Sequence, residues 1–385
     1  MTLNYEALLF DKCIEKIKYK KKINKKKYLK NGKFPIVSQE DQVISGFWNN
    51  TEDVYKIDKP VIIFGDHTRV LKYIDFDFVI GADGTKIIKT KPNIIPKYFY
   101  YFLFSANIKS LGYSRHYKLL KKLKLNLPPL PIQQKIVAKL DKIFAEIDKA
   151  STAAEAYIKN SETLFQAYLE NIFNCNKNWT EYKLSQLCEN FKQDIVDGPF
   201  GSNLKKKDFI NEGIPILKIQ NIKEGEILKK NINFVIYEKY NSLKRHSFIK
   251  GDIVMTKLGN PLGVSAIVNN FDYGLIVADL VRIRAKKINT EFLCYQLNSR
   301  KIKNFINSQQ KGSTRPRVTL KIIRDLPINI PNTIDHQLHV LKSINDFIKQ
   351  SKNIIQLSNS KIIELNKLKQ SILLQAFNGE LVKAA

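Results

Sequence analysis

Two stretches of this chain repeat one design, and that design limits the folds open to it. The first runs from Leu127 to Phe173, opens on Leu127-Pro128-Pro129, and then carries apolar residues at alternating spacings of three and four. Val137, Leu140, Phe144, Ile147, Ala154, Ile158, Phe165, Tyr168 and Ile172 form the series, interrupted by Ser151 and Ser161. Such a series is the seam of a coiled-coil helix. The second stretch runs from Leu326 to Leu381, where Leu341, Ile344, Ile348, Ile355, Ile362, Leu365 and Ile372 repeat the spacing, with Ser351, Ser358 and Lys369 in the remaining slots. A seam this narrow cannot bury itself, and each seam is the natural partner of the other. At about 1.5 Å per residue, a helix of roughly forty residues is a rod of about 60 Å. A rod of that length separates what lies at its ends.

The segments before the two helices also match. Glu6, Leu9 and Cys13 correspond to Glu181, Leu184 and Cys188 at an offset of 175, and Pro35-Ile36 to Pro215-Ile216 at 180. Gly65-Asp66 aligns with Gly251-Asp252 at 186, Leu103 and Ser105 with Leu297 and Ser299 at 194, Gly112 and Arg115 with Gly312 and Arg315 at 200, and Gln166-Ala167 with Gln375-Ala376 at 209. Steadily rising offsets are what small loop insertions in a second copy produce. The chain therefore reads as a tandem duplication: a mixed α/β domain over residues 1–126, a helix over 127–176, a second domain over 177–325 and a second helix over 326–385. The expected fold is α+β, with two globular domains separated by an antiparallel coiled coil and related by a pseudo-twofold axis. Two similar domains held apart by a rod make a caliper suited to two half-sites on DNA.

Local pattern gives some elements. Phe34 to Val37 and Pro60 to Phe64 read as strands, with a return strand through Phe76 to Gly84. Pro96 to Ala106 reads as a helix opened by proline, its Tyr and Phe stripe facing a core.

Charge suggests the partner. The formal net charge is +28 and the pI about 9.7; a polyanion would offset the self-repulsion this creates, and nucleic acid is the first candidate. Eleven lysines lie between Lys12 and Lys33, interleaved with Tyr19 and Tyr28. Cys13, Cys175, Cys188 and Cys294 have no paired spacing, so they read as reduced thiols rather than as a metal site or disulfide framework. No run of eighteen apolar residues occurs and no signal peptide opens the sequence, so a cytoplasmic protein is expected.

The motifs of common enzymes are missing from the sequence. There is no G-x-x-x-x-G-K-[ST] and no G-x-G-x-x-G, and the glycine pairs Gly81/Gly84 and Gly259/Gly263 read as tight turns. Leu127-Pro128-Pro129 lacks the arrangement by which amino-methyltransferases hold a flipped base. His67 and His116 have no nucleophile or paired carboxylate beside them. The expectation is a chain with no catalytic centre and no metal of its own.

Three segments then carry a resemblance. Asp197-Gly198-Pro199-Phe200-Gly201-Ser202-Asn203-Leu204-Lys205, Gly213-Ile214-Pro215-Ile216-Leu217-Lys218-Ile219-Gln220-Asn221-Ile222 and Leu374-Gln375-Ala376-Phe377-Asn378-Gly379-Glu380-Leu381, with the duplicated layout, resemble the specificity subunits of type I restriction-modification systems. Ile63 to Arg69 with Gly81 to Gly84 resembles one subtype of their target-recognition domains. The resemblance implies that each domain reads one half of a bipartite asymmetric DNA sequence. It also implies that the helices dock two copies of an adenine methyltransferase subunit, joined by two copies of a restriction and translocase subunit. S-adenosylmethionine, ATP and Mg would then belong to those partners. Two related readings are the specificity chain of a type IIB-like enzyme and that of an orphan methyltransferase. An autonomous DNA-binding regulator is the reading from another class.

Reading DNA needs side chains that reach base edges or phosphates from loops on a rigid scaffold. In the second domain the candidates are Ser313, Thr314, Arg315 and Arg317, with Lys257, Asn260 and the triplet Lys205, Lys206 and Lys207. In the first they are Ser114, Arg115 and His116, with His67, Thr68 and Arg69. For a partner, Ile143, Leu164, Leu169, Leu357 and Leu368 are the apolar residues expected on the outer faces of the helices.

Overall fold

The structure, a computed structural model, describes residues 5–112, 114–175, 179–312 and 315–381. Two of the candidates, Ser313 and Thr314, lie outside the described residues. The chain divides into two compact units: Met1–Glu155 with Ser358–Ala385, and Ala156–Leu357. Each therefore holds one globular domain and a part of both long helices.

In the first unit β1 (Ala7–Leu9) pairs antiparallel with β9 (Lys124–Asn126), joining the ends of the globular domain just before the helix. One sheet has the order β3 (Gly46–Trp48), β2 (Phe34–Val37), β7 (Phe78–Ile80), β4 (Val54–Tyr55), with a parallel pair at its centre where Ile36 faces Val79. The other sheet sets β5 (Val61–Gly65) between β6 (Leu71–Ile74) and β8 (Thr85–Ile88). All five residues of β5, VIIFG, are buried, as an unbroken apolar run requires of a strand covered on both faces. The helix Pro96–Ser105 starts on its proline. It buries Tyr98, Phe99, Tyr101, Phe102 and Leu103 in a core shared with Leu140, Phe144 and Leu373 of the long helices.

The second unit repeats the scheme. β10 (Thr180–Lys183) pairs with β21 (Pro327–Ile330). One sheet has the order β15 (Asn233–Val235), β12 (Ile214–Leu217), β19 (Tyr273–Ile276), β16 (Ser247–Ile249), and again its central pair is parallel, Ile216 facing Leu275. The second sheet reads β11 (Ile195–Asp197), β20 (Leu280–Ile283), β17 (Ile253–Thr256), β18 (Ser265–Ile267). A short hairpin, β13 (Ile222–Lys223) with β14 (Glu226–Ile227), forms a separate two-stranded sheet. Ile36 and Ile216 are equivalent at the expected offset of 180. The buried thiols correspond as well: Cys13 Sγ donates to Leu9 O and Cys188 Sγ to Leu184 O. The match of Gly65-Asp66 with Gly251-Asp252 does not hold, because the first pair ends β5 whereas the second precedes β17.

The long helices span Leu130–Cys175 and Ile334–Phe377. The second starts later than the apolar pattern suggests, because Pro327–Ile330 is taken into the pairing with β10. Every seam position is buried or half-buried, the serines and Lys369 included. In the first unit the helices run antiparallel: Lys139 Nζ donates to Leu381 O at 2.9 Å, while further along Lys369 pairs with Asp148 and lies 5.5 Å from the Phe144 ring centre. In the second unit Tyr168 stacks on Phe347 with ring centres 4.5 Å apart.

One expected partner-facing residue is misplaced. Leu169 is 2% exposed and packs with Phe173, Leu341 and Ile344. Its counterpart 204 residues on, Leu373, is likewise buried in the first unit. The same 204 separates the buried glutamines Gln133 and Gln337. Gln133 Oε1 accepts from Ile95 N–H at 2.9 Å and Gln337 Oε1 from Asn289 N–H at 3.2 Å, so each pins the N-terminus of its own domain's short helix. Along the helices the copies thus stay in step at 204, and the match of Gln166-Ala167 with Gln375-Ala376 fails. Ile143 is half-buried against the first unit's core, whereas Leu164, Leu357 and Leu368 are 59%, 70% and 47% exposed.

Candidate nucleic-acid interface

In both domains one turn of candidates follows a buried strand and a second loop of candidates is bonded to it, and backbone hydrogen bonds establish the correspondence. After β5, Arg69 N–H donates to Gly65 O at 2.7 Å; after β17, Gly263 N–H donates to Thr256 O at 2.9 Å. Asp66 N–H donates to Gly84 O at 2.8 Å, as Lys257 N–H does to Asp279 O at 2.9 Å. His116 N–H donates to Asp66 O at 2.8 Å, as Val318 N–H does to Lys257 O at 3.0 Å. Asp66 is therefore equivalent to Lys257, Gly84 to Asp279 and His116 to Val318. The turn bearing His67, Thr68 and Arg69 is the counterpart of the turn bearing Asn260. Arg115 corresponds to Arg317, not to Arg315 as the sequence match suggests, because one domain's loop is longer between its glycine and the shared bond.

In the first domain the turn is held tightly. Thr68 Oγ1 donates to Gln39 O at 2.5 Å, and His67 N–H donates to Gln39 Oε1 at 3.2 Å. A Cβ on Gly65 would lie 2.1 Å from Thr68 Oγ1, so a side chain there would push that hydroxyl off its bond to Gln39. Lys72, 4% exposed, donates Nζ to the carbonyls of Ser38 and Gln42 and so braces the loop that carries Gln39. Arg69 takes φ +66° and donates from Nη1 to Ile108 O at 3.0 Å, tying the turn to the segment that leads to Arg115.

His116 does not serve as a DNA contact. It is fully buried, its Nε2 accepts Leu111 N–H at 2.9 Å, and Nδ1 lies 3.0 Å from Asp66 O. A nitrogen facing an N–H must accept and one facing a carbonyl must donate, so the ring is the neutral Nδ1–H form with both nitrogens engaged. Ser114 is half-buried and Arg115 exposed. Two further cations lie here, Lys22 from the lysine run between Lys12 and Lys33 and Lys86, which sequence reasoning missed. Lys22 donates to Thr85 O at 2.9 Å, and Lys86 lies 3.9 Å from Asp66 Oδ2. Burial, and then the charge of Lys86, push Lys22 below the usual lysine range.

In the second domain bridges from Leu258 and Lys311 to Arg317 bring the two predicted loops together, and Gly259 N–H donates to Pro316 O at 2.9 Å. Lys257, 18% exposed, pairs with Asp197 Oδ2 at 2.5 Å, which makes it a brace between β17 and β11 rather than a free phosphate contact. Arg315 is 64% exposed and its Nη2 lies 3.1 Å from Asp279 Oδ2. Arg317 and Asn260 are exposed. Asn260 and Asp279 border a cleft of about 580 Å³ with Lys218 and Gln220. Burial and neighbouring Lys206 lower the pKa of Lys218. Lys205, Lys206 and Lys207 are exposed on the loop after β11, which also carries Phe200 at 81% exposure. A Cβ on Gly198, at the root of that loop, would sit 2.1 Å from the Val277 carbonyl carbon. Phe200 and Gly198 were visible in the D-G-P-F-G run and Lys218 in the second segment that carries the resemblance; Asp279 and Gln39 carried no local signal.

Among the described residues no cluster of His, Cys, Asp and Glu could hold a metal, and no helix is long and apolar enough to cross a membrane. The sequence model of the type I restriction modification DNA specificity domain matches residues 14–156 and again 176–367. The chain belongs to this family. Its relatives include the type I restriction enzyme MjaVIII specificity subunit of Methanocaldococcus jannaschii, 22% identical over 278 residues. That match covers 69% of this chain and 63% of the relative, less than two thirds of its length. The EcoBI specificity subunit of Escherichia coli is 23% identical over 368 residues, covering 88% of this chain and 76% of that one. The specificity-domain fold recurs in the HsdS subunit from Thermoanaerobacter tengcongensis, at TM-score 0.52 and 15% identity, covering 98% of this chain and 97% of that one. A chain from the structural study of complex assembly and conformational transition of the type I R-M system matches at TM-score 0.72 and 15% identity, with 98% of each chain covered.

Proposed function

We propose that this specificity-domain chain is the DNA-reading subunit of a type I restriction-modification complex. Each domain recognises one half of a bipartite asymmetric site, and the chain itself supplies no catalysis. The observation that carries this reading is the repeated pair of loops: from the same strand end in both domains, a turn and a second loop present Arg69 and Arg115, or Asn260, Arg315 and Arg317, on a braced base. Arginine forks suit guanine edges and phosphates, and amides suit adenine. A charge of +28 offers the long-range attraction such reading uses. The exposed leucines Leu164, Leu357 and Leu368 are the residues a partner would cover. The partners are two adenine methyltransferase subunits, which bring S-adenosylmethionine, and two restriction and translocase subunits, which bring ATP and Mg.

The test is half-site selectivity. Arg315→Ala should lose about 1–3 kcal/mol on the cognate duplex and relax only the second domain's half-site. Arg115→Ala should relax only the other. Equal loss at both half-sites, or none, contradicts the reading.

A further inference from the structure

Asp279 is an acid at the centre of a basic surface. It occupies the turn between β19 and β20, 30% exposed, with Arg315 at 3.1 Å, its own carbonyl accepting from Lys257, and Lys218, Gln220 and Asn260 around the adjoining cleft. A carboxylate there repels phosphates, and an ion pair this exposed adds little to stability. Base recognition, however, has a use for an acceptor beside a donor fork. In the major groove a G·C pair presents guanine N7 and O6 as acceptors and cytosine N4 as a donor. O6 and N4 are themselves hydrogen-bonded, so side chains reading them must hold a donor and an acceptor one hydrogen bond apart. Arg315 Nη2 and Asp279 Oδ2 stand at that separation.

Resting on the DNA-reading function proposed above, we infer that Asp279 is a specificity-determining residue: with Arg315 on guanine O6 and N7, its carboxylate accepts the N4 amino group of the paired cytosine. The equivalent position in the first domain is Gly84, which has no side chain, so the effect belongs to one half-site only.

The test removes the two interacting groups separately. Full-length protein, with the methyltransferase subunit present, is titrated with its selected duplex. A second duplex carries 2-pyrimidinone, which lacks the amino group, in place of the cytosine at the second half-site's G·C pair. Wild type should bind the amino-less duplex roughly five- to a hundred-fold more weakly. Asp279→Ala should bind both duplexes alike. Asp279→Asn, which keeps the shape and one neutral acceptor, the amide oxygen, should retain part of the discrimination against the amino-less duplex. Equal losses for wild type and Asp279→Ala overturn the inference while half-site selectivity stands. Absence of any sequence-selective binding by wild type overturns the proposed function with it.

Discussion

His116 shows how a residue's surroundings decide its job. With both ring nitrogens committed to the backbone of Asp66 and Leu111, it fastens one recognition loop to the other. Its neighbour Arg115 faces solvent. His116→Ala should lower the unfolding free energy by about 1–3 kcal/mol, because buried backbone groups lose their partners, whereas Arg115→Ala should stay within about 0.5 kcal/mol; urea unfolding distinguishes them. Neither role could be read from Ser114-Arg115-His116 alone, since the group that fixes the ring lies about fifty residues away along the chain. The thiols were more legible, because isolated cysteines among apolar residues are usually buried. Burial pushes Cys13 up to about 11 and Cys188 and Cys294 up to about 12. A thiolate is the reactive form, so at pH 8 these three should resist alkylation in the folded protein and react on unfolding, as mass spectrometry would record.

At the scale of elements, the helices were legible to the register of single residues. Periodicity depends on neighbours three and four apart, and every seam position is at least half-buried. What periodicity could not give was the outer face. Leu169 looks outward in a seam drawn for two helices, but the second globular domain packs on that side and takes it into the core. In the first domain β2, β5 and β7 were legible as short apolar runs, whereas β6, with the sequence LKYI, was not. The loop after β11 illustrates close approach. Gly198→Ala would drive a methyl group into the Val277 backbone. It should destabilise the second unit by about 1–3 kcal/mol and impair only that domain's half-site, as separate binding to each half-site would reveal.

For the whole molecule, the duplication was legible but its details needed the hydrogen bonds. Short identities placed Arg115 against Arg315; the shared bonds place it against Arg317. The two compact units divide within the long helices, between Glu155 and Ala156 and between Leu357 and Ser358. If those helices set the gap between half-sites, seven extra residues in Ala150 to Ala156, matched by seven near Leu357, keep the seam in phase and add about 10 Å. The preferred gap should then grow by about three base pairs, with both half-site sequences unchanged; an unmoved gap contradicts the caliper. The most direct test of the central claim is selection of bound duplexes from random DNA at physiological salt, with and without the methyltransferase partner. A bipartite asymmetric consensus that sharpens with the partner is the predicted result. A single contiguous or palindromic site indifferent to the partner, or no enrichment, would contradict it.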